Sequence, residues 1–231
     1  MPPSQPERWP PGLFDKLTTQ SLKLEQFESA LRDGTPVLVR PVVPSDRELL
    51  RVGFAKLSDA SRYARFMAPI SELSEEQIRY LTEIDYVDHF AWAAVRSDRR
   101  TEGMGVARYV RIGTEPTVGE AAVTVLDRYQ GKGLGTLLLA LLAVAARVAG
   151  IERFRAYVLE ENAPMRDLLD ALGAETTYDS PGVLRMDVPL DPHMLPDSPA
   201  ARVLRAVATR LVSPALTKPP GPSGEGPAIQ A

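Results

Sequence analysis

The stretch from Val123 to Gly150, V-T-V-L-D-R-Y-Q-G-K-G-L-G-T-L-L-L-A-L-L-A-V-A-A-R-V-A-G, constrains this chain more than any other. An alternating apolar run ends at Val125, a short charged turn follows, and glycines then open a long apolar segment. That order predicts a strand, a turn, a glycine loop and a helix. Gly131, Gly133 and Gly135 carry no Cβ, so a ligand can come close to the backbone there. The first N–H groups of the following helix lack intrahelical acceptors and offer an anion site.

Two familiar phosphate loops do not fit. A nucleotide-triphosphate loop needs G-x-x-x-x-G-K-[ST], but Lys132 is followed by Gly133. A dinucleotide fold needs G-x-G-x-x-G, and these glycines fall as G-x-G-x-G. A third pattern, Q/R-x-x-G-x-G/A, is matched by Gln130, Gly133 and Gly135. It resembles the coenzyme loop of the GNAT superfamily of N-acetyltransferases. The resemblance implies that Gln130, Gly131, Lys132, Gly133, Leu134, Gly135 and Thr136 hold the pyrophosphate of acetyl-coenzyme A. A glycine-rich turn ahead of a core helix is the plainer reading of the same residues.

The 231 residues suffice for one domain with a full core and appendages. A formal net charge of −3 gives no basic footprint for nucleic acid. The absence of cysteine excludes disulfides, thiolate zinc sites and a cysteine nucleophile, and two histidines make a poor metal site. No metal is therefore expected. The Pro-rich start does not read as a signal peptide, and the longest uncharged apolar segment, 133–146, falls short of the ~18 residues of a membrane span. A cytoplasmic protein is expected.

In chain order, residues 1–20 read as a mobile Pro-rich arm and Leu22–Leu31 as a short helix ending at Asp33-Gly34. Val37–Val43 reads as a strand, at an edge because of Pro41. Capping boxes at Ser45-x-x-Glu48 and Ser74-x-x-Gln77 open helical segments, with a further helical piece over Ser58–Phe66; two helices are expected in this interval. Strands follow at Phe90–Arg96, Gly105–Ile112 and Gly119–Val125. After the long helix come a strand at Arg153–Val158, a helix at Ala163–Leu172 stopped by Gly173, and a hairpin turning at Pro181-Gly182. This is an α/β chain whose element order resembles the GNAT fold, a mixed and mostly antiparallel sheet flanked by helices, over residues 21–190. Residues 191–231 read as an extension. Within it Ala200–Val212 is an amphipathic helix with Arg202, Arg205 and Arg210, and the tail from Thr217 is disordered by composition.

Three further motifs narrow the resemblance. L-R-D-G-x-x-V-x-V-R-P at Leu31–Pro41, S-R-Y-x-R-F at Ser61–Phe66 and V-A-R-Y-V at Val106–Val110 are similar to bacterial protein lysine acetyltransferases. That family often carries a fused regulatory domain, for which this chain is too short. The resemblance implies a protein substrate with a reactive lysine, such as an acyl-CoA synthetase.

Transfer to an amine must first remove a proton. A free lysine ammonium has a pKa near 10.4, so neutralising it at pH 7 costs roughly 4.6 kcal/mol. A base offsets much of that cost. Glu120, in the run G-E-A-A-V-T-V, matches the position of the family's general base; a strand-end carboxylate in bulk solvent is the alternative. The resemblance also implies that backbone N–H groups at Val123, Val125 and Leu126 meet the thioester and pantetheine. Arg128 and Lys132 add positive charge near the phosphates. Asn162 matches the coenzyme-contacting asparagine and equally suits a helix N-cap. Leu169 stands where many of these enzymes have a tyrosine acting as general acid, which leaves that role unassigned. His89 is a substrate-side candidate, weighed against a structural role at a strand start. The expected activity is acetyl transfer from acetyl-CoA to a primary amine, foremost a protein lysine. A small amine acceptor and a non-catalytic acyl-CoA sensor are the alternatives.

Overall fold

The computed structural model describes residues 18–23, 25–191 and 194–212. Most of the expected N-terminal arm and the whole tail from Thr217 lie outside the described residues. The core is one eight-stranded sheet in the order β1-β2-β3-β4-β5-β6-β8-β7. Its strands are β1 (Phe27–Ala30), β2 (Pro36–Pro41), β3 (His89–Arg96), β4 (Gly103–Ile112), β5 (Glu115–Val125), β6 (Arg153–Leu159), β7 (Glu175–Ser180) and β8 (Val183–Pro189). Every neighbouring pair is antiparallel except β5 and β6. That exception follows from the long helix α5 (Leu134–Val148), because parallel neighbours need a crossover connection.

The helix expected over Leu22–Leu31 is not formed. Helix α1 (Thr19–Leu22) ends where this span begins, and Phe27–Ala30 pairs with Pro36–Val39 through a turn in which Gly34 takes φ +81°. Pairing with a strand that is itself buried wins over the local helical pattern. Pro41 is therefore not in an edge strand, yet β1 reaches only to Val39, so Pro41 has no outer partner to disappoint. The interval before β3 holds three helices instead of two: α2 (Arg47–Ala55), α3 (Asp59–Phe66) and α4 (Glu75–Thr82). Ser74 and Gln77 form the expected capping box. Ser45 does not cap α2. There Asp46 closes a 3₁₀ turn by accepting from the Val43 N–H at 2.9 Å and from both terminal nitrogens of Arg40.

Alternation along the strands sorts the two faces. Phe90, Trp92, Tyr109 and Phe154 form an aromatic chain on the side of α5, with Phe90 and Trp92 centroids 5.1 Å apart. His89, Ala91 and Ala93 on β3, Val106 and Arg108 on β4, and Glu120 and Thr124 on β5 share the opposite face, over which α2–α4 lie. Leu137–Ala146 is buried all round, because α5 is covered by the sheet on one side and by α7 (Pro199–Val212) on the other. The C-terminal helix thus joins the main core through Ala201, Leu204, Val207 and Ala208.

Candidate functional site

Strands β5 and β6 pair only at Val118–Arg153, Gly119–Phe154 and Glu120–Arg155. Beyond Glu120, β5 runs on to Val125 without β6 beside it, so the sheet opens into a wedge with Glu120 at its vertex. Asn162 and helix α6 (Ala163–Asp170) follow β6 on one arm, and the glycine loop follows β5 on the other. The Leu126 N–H donates to the Met104 carbonyl at 2.9 Å, which spends it on β4. Alternate N–H groups of a strand point to opposite edges. Those of Val123 and Val125 therefore face the wedge, and Leu126, buried and committed to β4, does not.

Between Val125 and α5 the chain makes a 3₁₀ turn over Asp127–Tyr129 and then the loop. Gly131 and Gly133 take φ +70° and +89°, a backbone that residues with a Cβ rarely adopt. Gly135 is different: it is helical, and a Cβ there would only touch Val125. Leu134 is wholly buried, so only its backbone can serve a ligand, while Thr136 stays partly open beside it. The Gln130 side-chain amide donates to the Val125 carbonyl at 3.0 Å and to the Ser61 hydroxyl at 3.2 Å. Its role in these contacts is to hold the loop against the wedge and against α3.

The two expected loop cations are both in ion pairs. Lys132 meets Asp33 at 2.9 Å, and Arg128 meets Glu102 at 2.9 Å. Lys132, aided by hydrogen bonds from Thr35, holds the Asp33 carboxyl far below the usual carboxylate range. A cation that the sequence did not single out comes closer to the glycines. The Arg32 N–H donates to the Lys132 carbonyl, and its Nε would lie 3.5 Å from a Cβ built on Gly133. Arg32 belongs to the L-R-D-G turn between β1 and β2, so the β1–β2 hairpin that displaced the expected helix also brings a guanidinium to the loop.

Asn162 accepts from the Met165 N–H at 3.3 Å and caps α6. Leu169 is buried, lining a small apolar cavity with Ala121, Val123 and Leu204 beneath the wedge. A hydrocarbon in that place cannot donate a proton. Glu120 is exposed on β5, and its charge is felt by Arg65 of α3 across the same face. Its β6 neighbour Arg155 is already engaged with Asp187 at 3.0 Å and Glu115 at 2.5 Å.

His89 is buried under α4, its ring 5.0 Å from that of Tyr80 and its Nε2 3.0 Å from Nη1 of Arg108. Burial, reinforced by the Arg108 charge and opposed by Asp85, pushes its pKa down to about 4. A neutral ring then accepts from the guanidinium at Nε2. His89 thus lies on the Glu120 face but is committed to Arg108, a relation no sequence spacing displays.

The parted strands, outward N–H groups and left-handed glycine loop could hold the phosphate and pantetheine of acyl-CoA, whose anionic end would meet the free N–H groups expected at the head of α5. Among the described residues no group of three His, Asp or Glu side chains could hold a metal, and no helix is long and apolar enough to cross a membrane. Comparison with known proteins gives the same picture. Residues 37–175 match the family model described as an acetyltransferase (GNAT) domain. "Acetyltransferase Pat" of Mycolicibacterium smegmatis is 36% identical over 192 residues, 79% of this chain and 56% of that protein. The chain thus spans little more than half the length of that relative. "Acetyltransferase PA5475" of Pseudomonas aeruginosa is 37% identical over 150 residues, 64% of this chain and 80% of that one. The crystal structure of the GNAT domain of S. lividans PAT superposes with a TM-score of 0.66 at 34% identity, covering 71% of this chain and 96% of that domain. With the family pattern running through more than half of its residues, this chain belongs to the GNAT acetyltransferase family.

Proposed function

We propose that this protein moves an acetyl group from acetyl-CoA to a lysine side chain of a protein, foremost an acyl-CoA synthetase, with Glu120 as general base. The observation that carries the reading is the position of Glu120. It is an exposed carboxylate at the vertex where β5 and β6 part, on the sheet face covered by α3 and α4. Acetyl-CoA, when bound, supplies an activated acyl thioester. The residues of the chain do the rest. Gly131, Gly133 and the head of α5 hold the phosphates, Asn162 and Thr136 flank them, and the Val123 and Val125 N–H groups orient and polarise the thioester carbonyl. Glu120 takes the ammonium proton through water, so that a neutral amine meets the carbonyl. Leu169 offers no proton to the departing thiolate, which solvent then protonates. Relatives named Pat, together with the L-R-D-G, S-R-Y-x-R-F and V-A-R-Y-V motifs, support a protein acceptor.

The test is turnover against pH on one lysine peptide for wild type and Glu120→Gln. The variant keeps the shape and loses the base, so turnover at neutral pH is expected to fall about 10²–10⁴-fold. The deficit should narrow as pH approaches the lysine pKa, with coenzyme affinity little changed. Parallel profiles of equal height would remove Glu120 from the mechanism.

A further inference from the structure

A second cavity lies between the α2–α4 layer and the β3–β5 face, with a volume of about 90 Å³. That is room for roughly six waters, or as many heavy atoms of a ligand. Its walls are hydrocarbon from Leu50, Phe54, Leu57 and Leu81, but two guanidiniums, Arg65 and Arg108, also line it. Arg108 is 4% exposed. Its partners are the neutral His89 ring and the Leu81 carbonyl at 3.2 Å. Arg65 lies over the Phe66 ring and feels the Glu120 charge across the face, but forms no direct ion pair with a carboxylate among the described residues. The one carboxylate in the lining, Asp46, is taken up by Arg40 at 2.6 Å, and the Thr82 hydroxyl donates to Ile78.

Buried charges are ordinarily paired, because an unpaired one keeps its full desolvation cost. Two like charges facing one apolar cavity make that cost larger, and each lowers the proton affinity of its surroundings: burial and the Arg65 charge bring Arg108 down to about 9. Arg155, by contrast, is bracketed by Asp187 and Glu115. What the cavity lacks is an anion with a short apolar body.

We propose that this cavity is a carboxylate-binding site, whose ligand sets its oxygens against Arg108 and Arg65 and its hydrocarbon among Leu50, Phe54 and Leu57. Gly105, Val106, Thr124 and Leu126 also line it, so it adjoins the β5 segment that faces the acyl group. The carboxylate can arrive free, or at the far end of an acyl chain carried by coenzyme A. This inference goes beyond the lysine reading and does not depend on it.

Calorimetry on the full chain without coenzyme compares butyrate and valerate with butyramide and valeramide. Succinyl-CoA is then compared with butyryl-CoA, a thioester of equal chain length without the charge. A free-acid site gives binding of the acids at least tenfold tighter than of the amides. An acyl-borne carboxylate gives that tenfold preference between the two thioesters instead. In either case Arg108→Met erases the preference; should it not fold, Arg65→Gln, on the partly exposed helix α3, carries the same comparison. Equal affinity for charged and neutral members of both pairs would overturn the site, and acetyl-CoA binding unchanged in those same samples would leave the acyltransferase reading intact.

Discussion

The carboxylate of Asp127 accepts from the Ser61 hydroxyl at 2.8 Å, and also from the Ser58 hydroxyl and N–H at 2.7 and 3.0 Å. Ser58 and Ser61 begin α3, and Asp127 begins the turn that leads into the glycine loop. One side chain therefore ties α3 to the glycine loop. Burial pushes the Asp127 carboxyl up, but the hydrogen bonds from Ser58 and Ser61 outweigh it and hold it below the usual range. Hydrogen bonds to a charged group are worth about 1.5–3 kcal/mol each where they are sheltered, and this site is largely open. Asp127→Ala is expected to lower stability by about 1–2 kcal/mol and to weaken both coenzyme and acceptor binding. Calorimetric Kd and peptide KM check it. A change in one without the other would show that the tie does not couple the two sites.

Gly133 should tolerate no side chain. Its φ of +89° strains any L-residue, although a Cβ would meet Arg32 only at ordinary contact distance. Gly133→Asp adds a negative charge where, on the proposed reading, a pyrophosphate would sit against the positive end of α5. Loss of measurable coenzyme A binding is expected in a protein that still folds, as judged by circular dichroism and melting. Gly133→Ala isolates the strain and should lose less affinity than the aspartate. Unchanged binding in both variants would take the loop out of the site.

The loop was legible in the sequence because glycine announces backbone needs locally. Gln130, Gly131 and Gly133 form the loop at the head of α5, and Glu120 lies on β5 as expected from the strand pattern. The β1 strand was not legible. L-K-L-E-Q-F-E-S-A-L has helical spacing, and only contact with Pro36–Val39 makes Phe27–Ala30 extended. Nor could spacing reveal that Leu126 spends its N–H on Met104, or that Arg108 rests on His89. Both depend on the register of β3, β4 and β5, which is set by burial across strands and not by neighbours in the chain.

His89 gives the chain a pH dependence of known sign. Its folded value of about 4 lies below the ordinary 6.5, so between these values the unfolded chain binds more protons than the folded one. Stability from this group is fully present above pH 6.5 and is lost as pH falls toward 4. The shift corresponds to at most about 3 kcal/mol. His89→Gln keeps an acceptor for Arg108 but cannot charge. The gap between wild-type and variant melting curves should therefore change in favour of the variant as pH is lowered from 7 to 4.5. Curves that stay parallel would mean that His89 is free to protonate in the folded protein.

Helix α7 supplies the last prediction. Ser198 caps it by accepting from the Ala201 N–H at 3.1 Å, while its hydroxyl also donates to the Ala171 carbonyl at the end of α6. Leu204, 4% exposed, reaches the apolar cavity lined by Leu169, Leu139 and Ala143. Without α7, the outer side of α5 would stand in water across Leu137–Ala146, a long stretch of leucine and alanine. Leu204→Ala removes three carbons from a buried site, at a cost of about 2–4 kcal/mol, equivalent to roughly 5–15 °C in Tm for a domain of this size. Truncation after Pro196 should cost more, or drive self-association through the bared face of α5. Because α7 packs chiefly on α5, coenzyme affinity of Leu204→Ala is expected to stay within about twofold of wild type while its Tm falls, a margin of under half a kcal/mol. Melting and calorimetry on the same sample decide it. An unchanged Tm would mean that α7 is dispensable to the core, and a lost affinity with full stability would make it part of the coenzyme site.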